Sequence, residues 1–507
     1  MSVSGTVSRH SVGIGVVGAL VLFVGIALLF AFEQPPFVAP DETAHVGYAH
    51  EIARFDLPEV TKFPEVPDSA TQWQAERESG RDDRYRSVWV ANHPPLNYVV
   101  TAPLTWISNA AGRPDGGLMF LRLANIAFAA AGVGFTYLLG RDLSGGVRRI
   151  GVAAAAIAAL VPQGHTLFSQ AMNDGLGFAA GTAMAWAGVR CIGTSPGRFA
   201  RRDLVVLGAA AAMCAGARSA TLVVAVVVVA WVATARLLTS SGRSPGARVA
   251  ATAEVAAFGL IPPFVLFGWH YLRNNHLYGD FAGSEFLLDR FGRDPRGSLV
   301  EILTRGNLWV DLYHMLMSPS PIVTIRAPLL NLALLLAVAG VVIVALTGRT
   351  GDVVRRDDAT ATSPNRLRGV VTRPGLALCV TVVFVVIVTV AQHVSGGGSR
   401  YSRYLLPALG VAAALFALGL DRLWPRVLPA ITVVLMGWWA LRNLPSGVDP
   451  TAERRPRDRG RPMPELLQVL PASPWLRTAA GVFIALGAAA VAVALVDGLA
   501  RRVRPER

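Results

Sequence analysis

Long apolar runs without a single charged residue recur along this chain, and they leave it few ways to fold. Val12 to Phe32 is one such run, and Leu376 to Val390 is another. About 20 apolar residues in a helix cross the hydrocarbon core of a bilayer. Backbone N–H and C=O groups at that depth are satisfied only inside helices or closed barrels. Charged residues make up only 16% of the chain, against about 25% in an ordinary soluble one. The sequence is therefore expected to be an all-α polytopic membrane protein, with 1–507 forming a single membrane domain. The first run continues into Glu33-Gln34-Pro35-Pro36 without a small-residue cleavage signal, so it is expected to stay as a span.

The arginines then decide the topology. The formal net charge of +14 is spread through loops between spans, where membrane orientation accounts for it and nucleic acid need not. Lys62 is the only lysine, a bias that fits a GC-rich bacterial genome. Cys191, Cys214 and Cys379 lie in or beside apolar segments with no close pair, so neither a zinc site nor a disulfide framework is indicated.

Two segments are ambiguous by hydropathy. If His93 to Ala111 crossed the membrane, the clusters Arg141/Arg148/Arg149, Arg198/Arg201/Arg202 and Arg349 to Arg373 would all face outside. As a helix lying at the outer surface it leaves them in the cytoplasm. Leu204 to Ala235 is too long for one span and has basic residues at both ends, so a hairpin is expected with its tip at Ala217-Arg218-Ser219. Twelve spans follow: Val12–Phe32, Leu118–Leu139, Ile150–Leu167, Gly175–Cys191, Leu204–Gly216, Ala220–Thr234, Val255–Tyr271, Pro328–Leu346, Leu376–His393, Tyr404–Leu420, Val427–Leu441 and Trp475–Leu499. Both termini are then cytoplasmic. Residues 33–117 and 273–327 become the large outer loops, 348–374 an Arg-rich cytoplasmic linker, and 442–474 a polar outer loop. The arginines of that last loop run against the scheme.

In this orientation the costly polar residues gather on one side. Pro40-Asp41-Glu42-Thr43-Ala44-His45 follows the first span, with Pro40 suited to open a helix. Asp41 and His45 would share a helix face, and a carboxylate in the first turn is favoured as the anion. His93 precedes Pro94-Pro95, Asn173-Asp174 opens the fourth span, Arg218 tops the hairpin, and Arg273 follows the seventh span. Gly396-Gly397-Gly398-Ser399-Arg400 leads to Arg403-Tyr404, where glycine N–H groups and guanidinium forks would suit a phosphate. Each element also has a plainer reading: Asp41 and Glu42 as caps of a surface helix, Asn173 and Asp174 as N-caps, and the late Tyr/Arg group as an aromatic belt with snorkelling arginines. The span centres hold almost no ionisable residues, which favours a site at the outer interface over an ion pathway.

Pro-Asp-Glu-x-x-His, His-Pro-Pro-Leu-x-Tyr, Asn-Asp opening a span, Arg-Asn-x-x-Leu-Tyr-Gly-Asp and the late Arg-Tyr-Leu-Leu-Pro stretch together resemble the GT-C membrane glycosyltransferases. The resemblance runs from about Val12 to Leu420. It is to a bacterial branch of multi-pass proteins similar to the polyprenyl-phosphate-mannose mannosyltransferases and aminoarabinose transferases. It implies a sugar donor on a polyprenyl phosphate, a glycan or protein acceptor, and transfer on the outer face of the cytoplasmic membrane. It also implies a catalytic acidic residue in the first outer loop, matched by Asp41 with Glu42 beside it. His45, His93, Asn173, Asp174, Arg218, Arg273, Arg400, Arg403 and Tyr404 are the matching candidates for substrate binding. Asp41, His45 and Asp174 lack the spacing of a metal site, so no metal is assigned. A transporter or flippase of similar span number is the rival reading, and it would need two related halves and broken helices at mid-membrane.

Overall fold

A computed structural model describes residues 3–34, 41–63, 87–112, 116–193, 201–239, 244–318, 328–348, 373–444 and 474–500. Pro40, most of the linker 348–374 and most of the loop 442–474 lie outside the described residues. Among the described residues every regular element is a helix.

Helix α1 (Val3–Glu33) carries the first span. Among the described residues two short helices follow, α2 (Glu42–Ala53) and α3 (Leu96–Ala110), before the second span, α4 (Gly116–Leu143). The segment 150–167, expected as one span, is a pair: α5 (Arg148–Ala159) and α6 (Pro162–Phe168), bent by 64°. The cause is Pro162, which has no N–H to continue α5 and instead starts α6 at its first turn. Next come α7 (Asp174–Gly193) and the expected hairpin, α8 (Arg201–Ala217) and α9 (Ser219–Thr239), which turns at Arg218.

Helix α10 (Pro245–Tyr278) runs unbroken through Pro262 and Pro263 and ends at Gly279, whose φ of 84° is the left-handed cap glycine tolerates. Its length of about 50 Å exceeds a bilayer core, so part of it projects. The short helices α11 (Ser284–Arg290), α12 (Leu299–Thr304) and α13 (Gly306–Leu316) precede the spans α14 (Pro328–Thr347) and α15 (Arg373–Ser395). A 3-10 helix, Ser402–Ala408, runs into α16 (Leu409–Leu423), followed by α17 (Val427–Arg442) and α18 (Pro474–Ala500). Among the described residues, eight helices are long and apolar enough to cross a membrane, or nine counting the bent pair. The other three segments expected as spans are helices too, α7, α8 and α17, but they fall short of that standard. The chain is an all-α polytopic membrane protein.

Helices α5 and α7 form the centre, and both are buried nearly all round. Their alanines and glycines permit close backbone approach, which replaces the hydrophobic drive that lipid removes. Two contacts of α7 position the site. The Gly175 N–H donates to Asn125 Oδ1 at 2.6 Å, and a Cβ at Gly175 would collide with the Asn125 carbonyl. At Gly181 a Cβ would collide with the Pro407 carbonyl, so glycine there lets the 3-10 helix lie directly on α7. The outer faces of α10 and α14 present Phe264, Val265, Leu335 and Val338, as expected of surfaces that meet hydrocarbon.

Helix α3 is amphipathic in the inverted sense. Asn97, Tyr98, Thr101, Thr105 and Ser108 point inward, while Val99, Val100, Leu104, Trp106 and Ile107 are exposed. The threonine hydroxyls bond back to carbonyls of their own helix. A short helix with a polar inner and apolar outer face fits the expected surface-lying element.

Candidate active site

The polar ends of α2, α3, α7, the α8–α9 hairpin and the 3-10 helix meet at one face. Asp41 is the N-cap residue of α2, yet its side chain makes no capping bond. Its Oδ2 instead pairs with Arg403 Nη2 at 2.5 Å, and Oδ1 accepts from Trp89 Nε1 at 3.4 Å. The carboxylate remains 18% exposed. The capping reading for Asp41 is therefore excluded, and α2 is a buried helix, not a surface one.

Glu42 has a different job. It is fully buried, held by Arg122 through Nε at 3.0 Å and Nη2 at 3.1 Å, and it accepts the Ala171 N–H at 2.8 Å. The remaining Arg122 nitrogen donates to the Ala31 and Gln34 carbonyls at 2.8 and 2.9 Å. With its oxygens occupied and no exposed surface, Glu42 ties α2 to α1, α4 and the loop before α7. Glu42, expected beside Asp41 as a second catalytic carboxylate, thus has its oxygens taken up by Arg122 and the Ala171 N–H.

His45 lies one turn beyond Asp41, and its backbone N–H donates to the Asp41 carbonyl at 3.1 Å. Its Nδ1 is 2.6 Å from the Tyr98 hydroxyl, while Nε2 is buried without a partner. Tyr98 stacks on Tyr48 at 3.7 Å, and the Tyr48 hydroxyl donates to the His93 carbonyl at 3.0 Å. His93 Nδ1 faces Asn173 Nδ2 at 3.3 Å. Arg218 donates from Nε to Asn173 Oδ1 at 3.0 Å and from Nη1 to Asp174 Oδ1 at 2.7 Å. Asn173 and Asp174 thus hold the hairpin tip through their side chains.

The structure brings together Asp41, His45, His93, Asn173, Asp174, Arg218 and Arg403, with Tyr404 lying 5.3 Å beneath the Arg403 guanidinium. It does not bring in Arg273 or Arg400. Arg273 donates to the Leu57 and Pro58 carbonyls and fixes the chain after α2. Arg400 is exposed, beside Arg293 and Arg296. The glycine N–H groups expected to cradle a phosphate are also occupied. Those of Gly396, Gly397 and Gly398 donate to Gln392, Val394 and His393 carbonyls and close the end of α15.

Sequence reasoning missed Arg122, Trp89 and Tyr98. Arg122 carried a signal, because a lone arginine inside an apolar span needs a buried acidic partner. Among the described residues no three His, Cys, Asp or Glu side chains converge as metal ligands would.

Burial alone would raise the pKa of Asp41, but the Arg403 charge, with help from His45 and Trp89, outweighs it and holds the carboxylate below its ordinary range. His45 moves to about 3, first because of burial and then because Arg218 and Arg403 oppose a proton that Asp41 alone would favour. His93 is lowered too, chiefly by burial. Both imidazoles are therefore neutral near pH 7. As pH falls below about 6.5 the unfolded chain binds protons that the folded one refuses, so stability drops as the solution is acidified. Melting in detergent between about pH 7 and pH 4 should show this decline, and His45→Gln should flatten it. Identical slopes in the two proteins would show that His45 takes no part.

No protein-family model matches the chain, and no curated protein matches it in sequence. Among solved structures it is similar to ArnT from Cupriavidus metallidurans bound to undecaprenyl phosphate, at 15% identity and a TM-score of 0.51. That match covers 98% of this chain and 75% of that one. The chain shares the fold of ArnT. The archaeal oligosaccharyltransferase AglB from Archaeoglobus fulgidus, in complex with an inhibitory peptide and a dolichol-phosphate, is also similar, at 14% identity and a TM-score of 0.45. That match covers 96% of this chain and 56% of AglB. Within this fold the Asp41 segment follows the first span, and the surface-lying α3 precedes the second.

Proposed function

We propose that this chain is a membrane glycosyltransferase that moves a sugar from a polyprenyl-phosphate donor to an acceptor, with Asp41 as the general base. The observation that carries this reading is the Asp41–Arg403 pair: a carboxylate kept ionised, partly open, and fixed at the boundary face of a GT-C fold. An acceptor hydroxyl would give its proton to Asp41 as its oxygen bonds to the anomeric carbon. The bond from that carbon to the phosphate oxygen breaks, and its electron pair leaves with the lipid phosphate. A single displacement of this kind inverts the anomeric centre.

Asp41 is a weak base, because Arg403 stabilises its anion. Weak basicity is tolerable where departure of the leaving group runs ahead of proton transfer, since a carboxylate also steadies the positive charge that develops on the sugar. His45, His93, Asn173 and Asp174 would orient sugar or acceptor around it.

The outer face of the bacterial cytoplasmic membrane is the proposed location. Arg141, Arg149, Arg190 and Arg202 lie at helix ends remote from Asp41, and the positive-inside rule assigns that end to the cytoplasm. Residues 33–117, 273–327 and 442–474 are then extracytoplasmic and 348–374 cytoplasmic. Purified protein in liposomes, supplied with radiolabelled polyprenyl-phosphate sugars, should release or transfer the label. Label carried intact across the bilayer would instead favour a flippase.

A further inference from the structure

Tyr98 is fully buried, and its hydroxyl ends 2.6 Å from His45 Nδ1. Packing sets its place. The ring stacks on Tyr48 with centroids 3.7 Å apart, and the Tyr48 hydroxyl is spent on the His93 carbonyl at 3.0 Å. Burial raises the pKa of Tyr98 and lowers that of His45, so both are neutral near pH 7. A single hydrogen therefore lies between them.

Which group supplies that hydrogen follows from counting partners. If His45 Nδ1 donated, the Tyr98 hydroxyl hydrogen would need an acceptor of its own. Among the described residues it has no bond besides the one to His45. His45 Nε2 would also be left as a bare lone pair, giving two unmet groups away from water. If Tyr98 donates, only the hydrogen on Nε2 is unmet. Each unmet buried group costs stability, so the structure assigns the proton of His45 to Nε2.

That N–H is a buried donor without an acceptor, a rare thing in a folded protein. Asp41 lies one turn back on α2, and the His93 ring is 6.0 Å away. Tyr98 stands within electrostatic range of both Asp41 and Asp174, and Asp174 keeps Oδ2 buried and unpaired while Arg218 holds Oδ1. An unmet donor and an unmet acceptor narrow what can enter. A phosphate would meet the Asp174 carboxylate, and a cation would meet Arg218, Arg403 and the N–H itself. Hydroxyl groups both accept and donate, so they suit this lining. Asp41 is partly open and His45 is closed off, which leaves the open side to the acceptor and the deeper N–H to the sugar.

We propose that Tyr98 is a positioning residue: it fixes His45 in the tautomer that donates from Nε2, and that N–H holds a hydroxyl oxygen of the donor sugar beside Asp41. The sugar rests on the glycosyltransferase reading; the tautomer does not. A bond of this kind forms when the sugar binds and persists through the reaction, so its loss falls on KM and not on kcat. Tyr98→Phe keeps the ring and its stack on Tyr48, and it should fold and elute like the parent protein.

The test follows label released from radiolabelled polyprenyl-phosphate sugars by the full-length protein in liposomes. Y98F is expected to raise KM for the donor about tenfold, the worth of one hydrogen bond, with kcat little changed. H45A should lose at least as much, and Y98F should add nothing in the H45A background. H45Q, whose amide nitrogen can stand in for Nε2, should recover most of the affinity. Nitrogen NMR spectra of histidine-labelled protein, parent minus H45A, should show the His45 proton on Nε2 and a mixture of tautomers in Y98F. A proton on Nδ1 in the parent overturns the proposal, as does an equal Y98F loss with and without His45. Lower melting of Y98F with an unchanged KM also overturns it, since Nε2 would then merely hold a buried water. Failure of the enzymatic reading looks different: the proton is found on Nε2, yet no sugar leaves the donor even in the parent.

Discussion

Asp41→Asn is expected to abolish sugar transfer, lowering turnover by about 10²–10⁴-fold, the usual contribution of a positioned base. Asparagine keeps the shape of the side chain, but its one amide oxygen can accept at only one of the two positions where Asp41 meets Trp89 and Arg403. What it loses is the ability to take a proton and the negative charge facing the sugar. Fold and membrane insertion should survive, because the buried anchor of this segment is Glu42 and not Asp41. The measurement is turnover of a radiolabelled polyprenyl-phosphate sugar, with elution and melting profiles run alongside. A variant that transfers sugar at the parent rate would remove Asp41 from the mechanism.

The largest effect on stability is expected at Arg122. Arg122→Met leaves Glu42 fully buried with no cation, and it also strips the Ala31 and Gln34 carbonyls of their donor. Breaking a buried pair from one side costs about 3–5 kcal/mol, because the remaining charge has neither partner nor water. Unfolding in detergent should shift by that amount, and activity should fall with it as α2 loses its seat. Arg122→Met combined with Glu42→Gln should recover part of the loss, since no buried charge then remains. A double-mutant cycle reads the coupling directly. Single variants that unfold like the parent would contradict the clamp.

Spans were legible in the sequence because apolar runs and basic flanks are one-dimensional signals. The hairpin at Arg218 follows from charge at both ends of 204–235, and the structure turns where that argument places the tip. Pro162 is visible in the sequence, but its consequence is not: a proline alone does not say whether a span kinks or breaks. Pro262 and Pro263 sit within α10 and leave it continuous.

The candidate site was half legible. Asp41, Asn173, Asp174, Arg218 and Arg403 are costly residues at span ends, and they do meet. Which guanidinium meets which carboxylate depends on packing between distant helices, so the sequence could not separate Arg403 from Arg400 three residues earlier. The same holds for Asp41 and Glu42, adjacent in sequence but turned to different partners by the helix they begin. The glycine run misled for a local reason. Glycines after a helix read equally well as anion donors or as a helix end, and here they are the end of α15.

One pairing bears on how the chain assembles. Glu33 closes α1 and Arg477 stands in the first turn of α18; the two bond at 2.6 and 3.0 Å across 444 positions of sequence. Gly15, Gly18 and Gly25 meet Ala494, Ala490 and Ile484 in antiparallel order along the same seam. Helix α1 is synthesised long before α18, so a ribosome-bound intermediate carries an unfinished seam until α18 arrives. Final closure of the bundle is thus a late, long-range event, and whatever shields that open flank of α1 in the meantime governs how much protein matures.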